Sequence, residues 1–307
     1  MAEDVDPAIG LSRPSQTGPT RIGVAGWSYP DWEGIVYPRQ PGVDHLSYLA
    51  SLFDAIEVNS SFYRVPPPRT TESWARRVRS NPDFRFTLKL YRGFTHDRQP
   101  TAEDEKSFRL ALSPLIEAGA FGALLLQFPW SFKNEPASRV YLGELLDRFH
   151  GYPLVVEVRH SSWNVPETYR FLEERAVGFC NIDQPIIGRS LGPSERTTGP
   201  IGYVRLHGRN YQDWFREGAG RDARYDYLYS VEELDPWIEK ISEVSETASE
   251  TYVVTNNHFR GQAVVNALQI RARVERRKVR APASLVERYP VLENVIEPDS
   301  PAQRLLF

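Results

Sequence analysis

The sequence predicts a closed, parallel (β/α)8 barrel of the TIM type. Eight short strand-like runs, separated mostly by helical patterns, fit into 307 residues, which is roughly the length of one such barrel. In several of these runs one parity is apolar and the other carries charged or polar side chains. An open sheet covered by helices on both faces should be apolar on both parities, so the alternation favours a barrel whose polar interior opens at one mouth.

The run 153–160 shows this alternation most clearly. Leu154, Val156 and Val158 share one parity, and Glu157 and Arg159 share the other. Because alternate side chains of a strand point to opposite faces, the apolar set should face the helices and the charged set the interior. Across all runs, the predicted inward residues are Glu57, Asn59, Thr87, Lys89, Gln127, Glu157, Arg159, Asn181, Asp183, Arg205 and His207.

The elements follow one another in the order that a barrel requires. Strands are predicted at 21–26, 55–59, 84–90, 122–128, 153–160, 177–183, 201–207 and 251–256. Helices are predicted at 44–53, 71–79, 102–118, 136–149, 166–176, 231–247 and from 261 to beyond 271. Asp44 is typical of a helix cap, and Pro166 of a first helical turn. Residues 184–200 show no helical period, so the sixth β-α unit is predicted to be irregular.

The ends of the chain differ in composition from this predicted barrel domain, residues 21–280. Residues 1–20 are rich in Pro, Ser, Thr and Gly and are predicted to form a disordered lead-in. Residues 281–307 are predicted to form a C-terminal extension.

Composition excludes several classes of protein. The formal net charge is -3, so no global basic field indicates a nucleic acid or an anionic membrane as partner. The single cysteine, Cys180, excludes a disulfide framework and a cysteine-based zinc site. No run of about 18 apolar residues and no apolar signal core occur in the sequence, so we expect a cytoplasmic protein without a membrane partner.

Six ordered motifs resemble one known family. They are Gly26-Trp-Ser-Tyr29, Glu57-Val-Asn-Ser-Ser-Phe-Tyr-Arg64, Gln127-Phe-Pro129, Glu157-Val-Arg-His-Ser-Ser-Trp163, Tyr203-Val-Arg-Leu-His-Gly208 and Asn256-Asn-His258. Together they span about 21–272 and resemble the YecE-like family, domain of unknown function number seventy-two. The resemblance implies a TIM-barrel-like fold and does not imply a reaction.

Polar residues at the strand ends define the candidate site, because barrel enzymes place their active sites there. The predicted catalytic residues are Glu57, Glu157, His207 and Asp183. The predicted substrate-binding residues are Asn59, Tyr63, Lys89, Arg159, His160, Trp163, Arg205, Asn256 and Asn257. Histidines and tryptophans also follow strand ends, at His96, His160, His207, His258, Trp27, Trp130, Trp163 and Trp214. We therefore expect an enzyme, of hydrolase or phosphodiesterase type, acting on an anionic, phosphate-bearing or nucleic-acid-derived substrate.

Three mechanisms and one structural interpretation remain open at this stage. Cationic side chains could clamp a phosphate or carboxylate, with Glu157 or His207 as general base. Glu57, Glu157, Asp183 and His207 could hold a divalent metal, although no HExxH-type spacing indicates one and no cofactor is specified. Glu57 and Glu157 could act as a glycosidase pair, which neighbouring arginines disfavour. Alternatively, the interior charges form salt bridges that only fix strand register.

The C-terminal peptide suggests a non-catalytic alternative. Gln303-Arg-Leu-Leu-Phe307 resembles the short peptides that bacterial proteins use to dock on the DNA sliding clamp, with Gln303, Leu306 and Phe307 as anchors. A clamp-docked, nucleic-acid-associated protein would also give a role to the basic run 271–280. Alternatively, the C-terminal peptide packs back on the barrel, and the basic run 271–280 is a solvent-exposed helix end.

Overall fold

The computed structural model describes residues 18–212, 214, 216 and 221–297. Eight parallel strands close into one barrel in chain order, each strand pairing with the next and the last with the first. The predicted fold class is confirmed. The predicted lead-in lies outside the described residues as far as residue 17, and the first strand begins at Thr20.

The strands are β1 (Thr20–Ala25), β2 (Ala55–Val58), β3 (Arg85–Lys89), β4 (Phe121–Gln127), β5 (Leu154–Glu157), β6 (Gly178–Asp183), β7 (Ile201–Leu206) and β8 (Glu250–Thr255). The helices are α1 (His45–Ala50), α2 (Ser60–Tyr63), α3 (Pro68–Val78), α4 (Arg92–Thr95), α5 (Ala102–Glu117), α6 (Pro136–Arg148), α7 (Pro166–Glu173), α8 (Arg221–Arg224), α9 (Val231–Thr247), α10 (Gln262–Val274) and α11 (Ala283–Arg288). Short 3-10 helices lie at Pro30–Trp32, Ser161–Trp163, Phe259–Gly261 and Pro290–Leu292.

Local sequence explains where the long helices begin. The side chains of Thr101 and Ser230 accept hydrogen bonds from the backbone N–H three residues ahead. The carboxylates of Asp104 and Glu233 in turn accept from the backbone N–H of these two cap residues, which makes capping boxes for α5 and α9. Asp44 caps α1 as predicted, accepting from two backbone N–H groups. Proline stands in the first turn of α3, α6 and α7, where its missing N–H removes no helical bond.

Most predicted elements are present, with differences at their ends. The first helix ends at Ala50 rather than at residue 53, and the second begins at Pro68 rather than at residue 71. The short helices α2 and α4, which follow β2 and β3, were not predicted, because four residues are too few to show a period. Residues 184–200 contain no helix, in agreement with the predicted irregular sixth unit.

The apolar core lies outside the barrel, between strands and helices. Ile56, Phe86 and Leu88 are 0% exposed, as the apolar parity of the sequence predicted. The interior instead holds polar side chains from β2, β3, β5 and β7. Because the outer face of the strands is apolar and covered by helices, the charged groups of the interior can contact solvent or a ligand at the C-terminal mouth.

Residues 281–297 pack against the barrel. Leu285 and Leu292 are both 0% exposed, and the Ser284 hydroxyl donates to the carbonyl oxygen of Ile35 in the loop after β1. The domain boundaries at residues 20 and 280 remain predictions. Within the described residues, no helix is long and apolar enough to cross a membrane.

Candidate active site

A buried ion-pair network forms the floor of the barrel mouth. Arg205 donates from Nη2 to Glu57 Oε1 at 2.6 Å and from Nη1 to Glu157 Oε2. The second oxygen of Glu57 accepts from the Tyr203 hydroxyl at 3.0 Å, and that of Glu157 from Arg159 Nε at 2.9 Å. Both glutamates are 0% exposed. Each carboxylate oxygen therefore already has a partner within the protein.

This network changes the chemistry expected of the two glutamates. Burial raises the pKa of Glu157, but the charges of Arg205 and Arg159 outweigh it and hold that pKa well below its usual range. An ionised carboxylate with every oxygen bonded is a poor general base, and it cannot be a general acid at neutral pH. Glu57 and Glu157 thus orient Arg205 and Arg159, which agrees with the salt-bridge interpretation of these charges.

His207 lies within the same network and is 0% exposed. Its Nδ1 accepts from the Asn256 amide at 3.1 Å, and its Nε2 lies 3.5 Å from Glu157 Oε1. Burial, followed by the charges of Arg205 and Arg159, lowers the pKa of His207 to about 3. The imidazole is therefore neutral at pH 7, and it is enclosed by the network and does not line the pocket.

A pocket of about 460 Å³ lies above this floor. Strand ends contribute its base, since β2 to β6 and β8 each place one polar residue at or just past the C-terminal end. These residues are Asn59, Lys89, Gln127, Arg159, Gln184 and Asn256. Arg205 from β7 completes the base, and Arg92 and Arg224 line the sides. Among the described lining residues there are five cationic side chains and no carboxylate.

Lys89 and His96 are the titratable lining groups with lowered pKa values. Burial and then the charge of Arg205 lower the pKa of Lys89 to about 7. Burial and then the charge of Lys89 lower the pKa of His96 to about 4. Near pH 7 the pocket therefore holds a neutral imidazole and an amine that exists in both protonation states.

Aromatic rings surround the pocket entrance. Tyr29 stacks on His258 with ring centroids 4.5 Å apart, and Tyr225 approaches the same imidazole at 5.0 Å. On other sides lie Tyr63, 66% exposed, and Trp130, 36% exposed. Exposed aromatic faces at a pocket rim are suited to stacking on a flat ligand ring.

Asn181 and Asp183 do not face the barrel interior, so their predicted orientation is wrong. Asn181 Oδ1 accepts from the Ser194 hydroxyl at 2.7 Å, within the 184–200 segment. Asp183 accepts from Arg209 Nε at 2.8 Å, outside the strands. Asp183 does not line the pocket, and its predicted catalytic role has no support in this arrangement.

The interior positions of β6 belong to the opposite parity. Cys180 Sγ lies 4.0 Å from Glu157 Oε2, and Gln184 lines the pocket. Phe179 points outward and packs edge-on against Tyr169 of α7, with centroids 5.2 Å apart. Because alternate residues of a strand share a face, the contact of Phe179 with α7 places Asn181 and Asp183 on the outer face as well.

Three predicted substrate-binding residues have structural roles instead. His160 accepts from the backbone N–H of Ser162 at 3.1 Å and caps a 3-10 helix. Trp163 is 1% exposed and donates to a backbone carbonyl at 2.7 Å. Asn257 is 0% exposed and donates to the Tyr227 carbonyl at 2.7 Å. The other six, Asn59, Tyr63, Lys89, Arg159, Arg205 and Asn256, line the pocket.

The predicted metal ligands do not converge. Glu57, Glu157 and His207 share the buried network, whereas Asp183 lies on the outer face of β6. Within the described residues, no group of three or more His, Cys, Asp or Glu side chains is arranged to hold a metal ion.

The docking peptide cannot be placed in this structure. Its anchors Gln303, Leu306 and Phe307 lie outside the described residues, which end at 297. Docking on a sliding clamp stays a prediction from the sequence.

Several lining residues were not among the predicted catalytic or substrate-binding residues, although His96 and Trp130 are among the histidines and tryptophans noted at strand ends. Phe62, Arg92, His96 and Trp130 follow β2, β3 and β4 within a few positions, and such proximity to a strand end was the available signal. Arg224 ends the short helix α8 and Tyr225 follows it, in the long connection after β7, where four helical residues are too few to indicate a direction.

Fold and pocket together define a TIM-barrel protein with a cationic, aromatic-rimmed pocket at the C-terminal mouth. The chain belongs to the DUF72 family, because residues 21–288 match the family described as "Protein of unknown function DUF72". The resemblance stated from the six motifs is confirmed.

Curated relatives and solved structures support the same family. The chain is 30% identical over 265 residues to UPF0759 protein YunF of Bacillus subtilis, covering 81% of this chain and 92% of YunF. It is 31% identical over 196 residues to UPF0759 protein YecE of Escherichia coli K12, covering 62% and 64%. A DUF72 family protein of Thermotoga maritima superimposes with a TM-score of 0.75 at 36% identity, covering 84% of this chain and 99% of that one. One from Enterococcus faecalis gives 0.75 at 26% identity, covering 83% and 95%.

Proposed function

We propose that this protein is an enzyme that binds a small anionic substrate in the pocket at the barrel mouth. The observation that carries the proposal is the cationic lining, in which Lys89, Arg92, Arg159, Arg205 and Arg224 face one cavity without a carboxylate among the described lining residues. Like charges brought together at a partly dehydrated surface repel one another, and an anion bound between them removes that repulsion.

The positions of the two buried glutamates also support binding of an anion rather than a cation in this pocket. Glu57 and Glu157 lie within the floor at 0% exposure and do not line the pocket, while the Arg159 side chain is 18% exposed and lines it. Each glutamate orients a guanidinium without presenting its own charge to the ligand. A planar guanidinium held in this way can bind two oxygens of a phosphate or carboxylate at once.

Aromatic residues at the entrance narrow the class of substrate. Tyr63 and Trp130 line the pocket and are partly exposed, and Trp214 lies with its ring centroid 5.8 Å from the Arg159 guanidinium carbon. A ligand that carries a flat ring beside its anionic group would stack on this rim while the anion reaches the floor. Proton transfer falls to Lys89 and His96, whose pKa values are lowered, since every carboxylate oxygen of Glu57 and Glu157 is already hydrogen-bonded within the protein.

Replacing Arg159 by alanine should weaken binding of inorganic phosphate and of a nucleoside monophosphate by about 10- to 100-fold, since a hydrogen bond to a charged group contributes about 1.5–3 kcal/mol. Glu157 keeps Arg205 as partner, so the variant should still unfold cooperatively. Isothermal titration and the ligand-induced rise in melting temperature both measure this loss.

Arg76→Ala is the matched control for this substitution. Arg76 lies on α3 with its side chain 60% exposed, paired only with Glu72 among the described residues, and does not line the pocket. It should bind phosphate as the natural protein does. If the natural protein binds neither phosphate nor a nucleotide, or if both arginine variants lose affinity equally, the proposed function is wrong.

A further inference from the structure

Lys89 is a pocket cation whose side chain is positioned by packing against an aromatic ring. It ends β3, and its backbone carbonyl accepts from the Ser61 hydroxyl at 2.7 Å. Its Nζ lies 3.8 Å from the centroid of the Phe62 ring. Among the residues that the structure describes, this ammonium has no hydrogen-bond or ion-pair partner, so its position is fixed while its N–H groups are available to a ligand.

The absence of an ion pair within the described chain has a clear cause. Glu57 and Glu157, the nearest source of negative charge in the barrel, are both bound by Arg205, and Glu157 also by Arg159. The positive charges of Arg205 and Arg159 offset those of the two glutamates, and burial together with these arginines disfavours a protonated amine at Lys89. By contrast, Lys240 on the surface forms an ion pair with Glu195 at 2.5 Å.

An amine in this setting is suited to act as a nucleophile. Lysine reacts with carbonyl compounds only as the neutral amine, and burial beside other cations favours that form. The pKa of about 7 for Lys89 agrees with this geometry. Phe62 beneath the nitrogen would stabilise a cationic product through its ring face.

Building on the proposed function, we infer that the substrate of this pocket is an anion that also carries an aldehyde or ketone, and that Lys89 binds it covalently as an imine. The arginines hold the phosphate or carboxylate, and the carbonyl carbon reaches Nζ. This assignment deepens the proposed anion site by naming the reactive group of its substrate.

The step balances without a further reactant. The Nζ lone pair forms the C–N bond while the carbonyl π electrons move to oxygen, and a proton passes from nitrogen to that oxygen. Loss of the carbinolamine hydroxyl together with the remaining N–H proton as water then gives the imine, so one carbonyl and one neutral amine yield one imine and one water. The imine nitrogen becomes cationic when it takes up a proton from solvent. His96, a neutral imidazole lining the same pocket, is positioned to carry the proton from nitrogen to oxygen.

Pyridoxal 5′-phosphate is the probe for this test, because it combines an aldehyde, a phosphate and a flat ring. The full chain is incubated with the probe and sodium cyanoborohydride near pH 7, and the reduced adduct is located by peptide mass mapping. The sequence contains five lysines, Lys89, Lys106, Lys133, Lys240 and Lys278, so each lysine can be followed separately, as can the terminal α-amine of the chain. Modification of Lys89 should exceed that of exposed Lys106 on the order of 100-fold, given the difference in neutral amine at pH 7 and the lower nucleophilicity of a weaker base.

Two variants and one competitor make the result specific. Lys89→Arg should remove the dominant adduct and Lys106→Arg should leave it unchanged, while excess inorganic phosphate should slow the labelling of Lys89 alone. Adducts spread evenly over the five lysines, or a dominant adduct that persists in Lys89→Arg, would overturn the inference. If phosphate binds in an Arg159-dependent way and yet neither pyridoxal phosphate nor glyoxylate is trapped on Lys89, the imine is wrong and the anion site stands. If phosphate does not bind at all, the proposed function fails first.

Discussion

Arg205→Ala should destabilise the barrel by about 3–5 kcal/mol, the effect expected when one partner of a buried ion pair is removed. Arg205 is 1% exposed and bonds both Glu57 and Glu157, each 0% exposed. Without the guanidinium, two carboxylates remain close together in the interior, and Glu157 keeps only Arg159 as a cationic partner. Urea denaturation at neutral pH measures the loss as a lower midpoint.

A combined variant distinguishes the loss of charge pairing from the loss of side-chain volume as the cause of the instability of Arg205→Ala. Glu57→Gln/Glu157→Gln/Arg205→Met removes all three charges at similar side-chain size, and it should recover most of the stability that Arg205→Ala loses. Arg159→Ala is the comparison within the network, and since its side chain is 18% exposed its effect on stability should be clearly smaller. Equal losses in Arg205→Ala and Arg159→Ala, or no recovery in the combined variant, would contradict the assignment of Arg205 as the centre of the network.

Alternation in the sequence was sufficient to predict the interior of most strands. In β2, β5 and β7, charged residues alternate with residues that pack on helices, and Glu57, Glu157 and Arg205 meet as expected. The sequence could not show that Arg205 would bind both glutamates, because the distance between β2 and β5 across the barrel depends on closure. The same residues that were predicted as catalytic therefore form the floor that orients the pocket.

The sixth strand shows why the same rule failed there. Outward residues are normally apolar because a helix covers them, but β6 is followed by 184–200, which has no helix. Backbone and hydroxyl groups of that segment bond Asn181, and Arg209 pairs with Asp183. Polar side chains on the outer face are thus satisfied without facing the interior. The irregular unit was predicted, but its effect on the polarity of the outer face was not.

Rim residues were less predictable than strand residues for a different reason. Strand side chains follow a period of two, whereas the direction of a loop side chain depends on contacts distant in sequence. His160 and His96 both follow strand ends, yet the first caps a 3-10 helix and the second lines the pocket. Nothing in the sequence around either histidine distinguishes these roles.

Lys89→Met should raise the free energy of unfolding at and below neutral pH, and the gain should disappear toward about pH 10.5, the ordinary pKa of lysine. The folded protein lowers the pKa of Lys89 to about 7, so between these values the unfolded chain binds the proton and the folded protein does not. The unfavourable contribution of the ammonium is therefore fully present below pH 7 and is relieved as pH rises. With about 1.4 kcal/mol for each pKa unit, and allowance for partial exposure, the gain is on the order of 2–3 kcal/mol.

Methionine is the appropriate replacement because it keeps an unbranched chain against Phe62 and removes only the charge. Unfolding in urea from about pH 6 to about pH 10 gives the difference between variant and natural protein as a function of pH. Lys106→Met, at an exposed position on α5, is the control and should show no such trend. A pH-independent difference, or a loss of stability at pH 7, would mean that Lys89 is an ordinary ammonium. Stabilisation that is present at pH 7 and fades toward about pH 10.5 would mean that the fold keeps an unfavourable ammonium in a pocket that a ligand can enter, as expected of a reactive group.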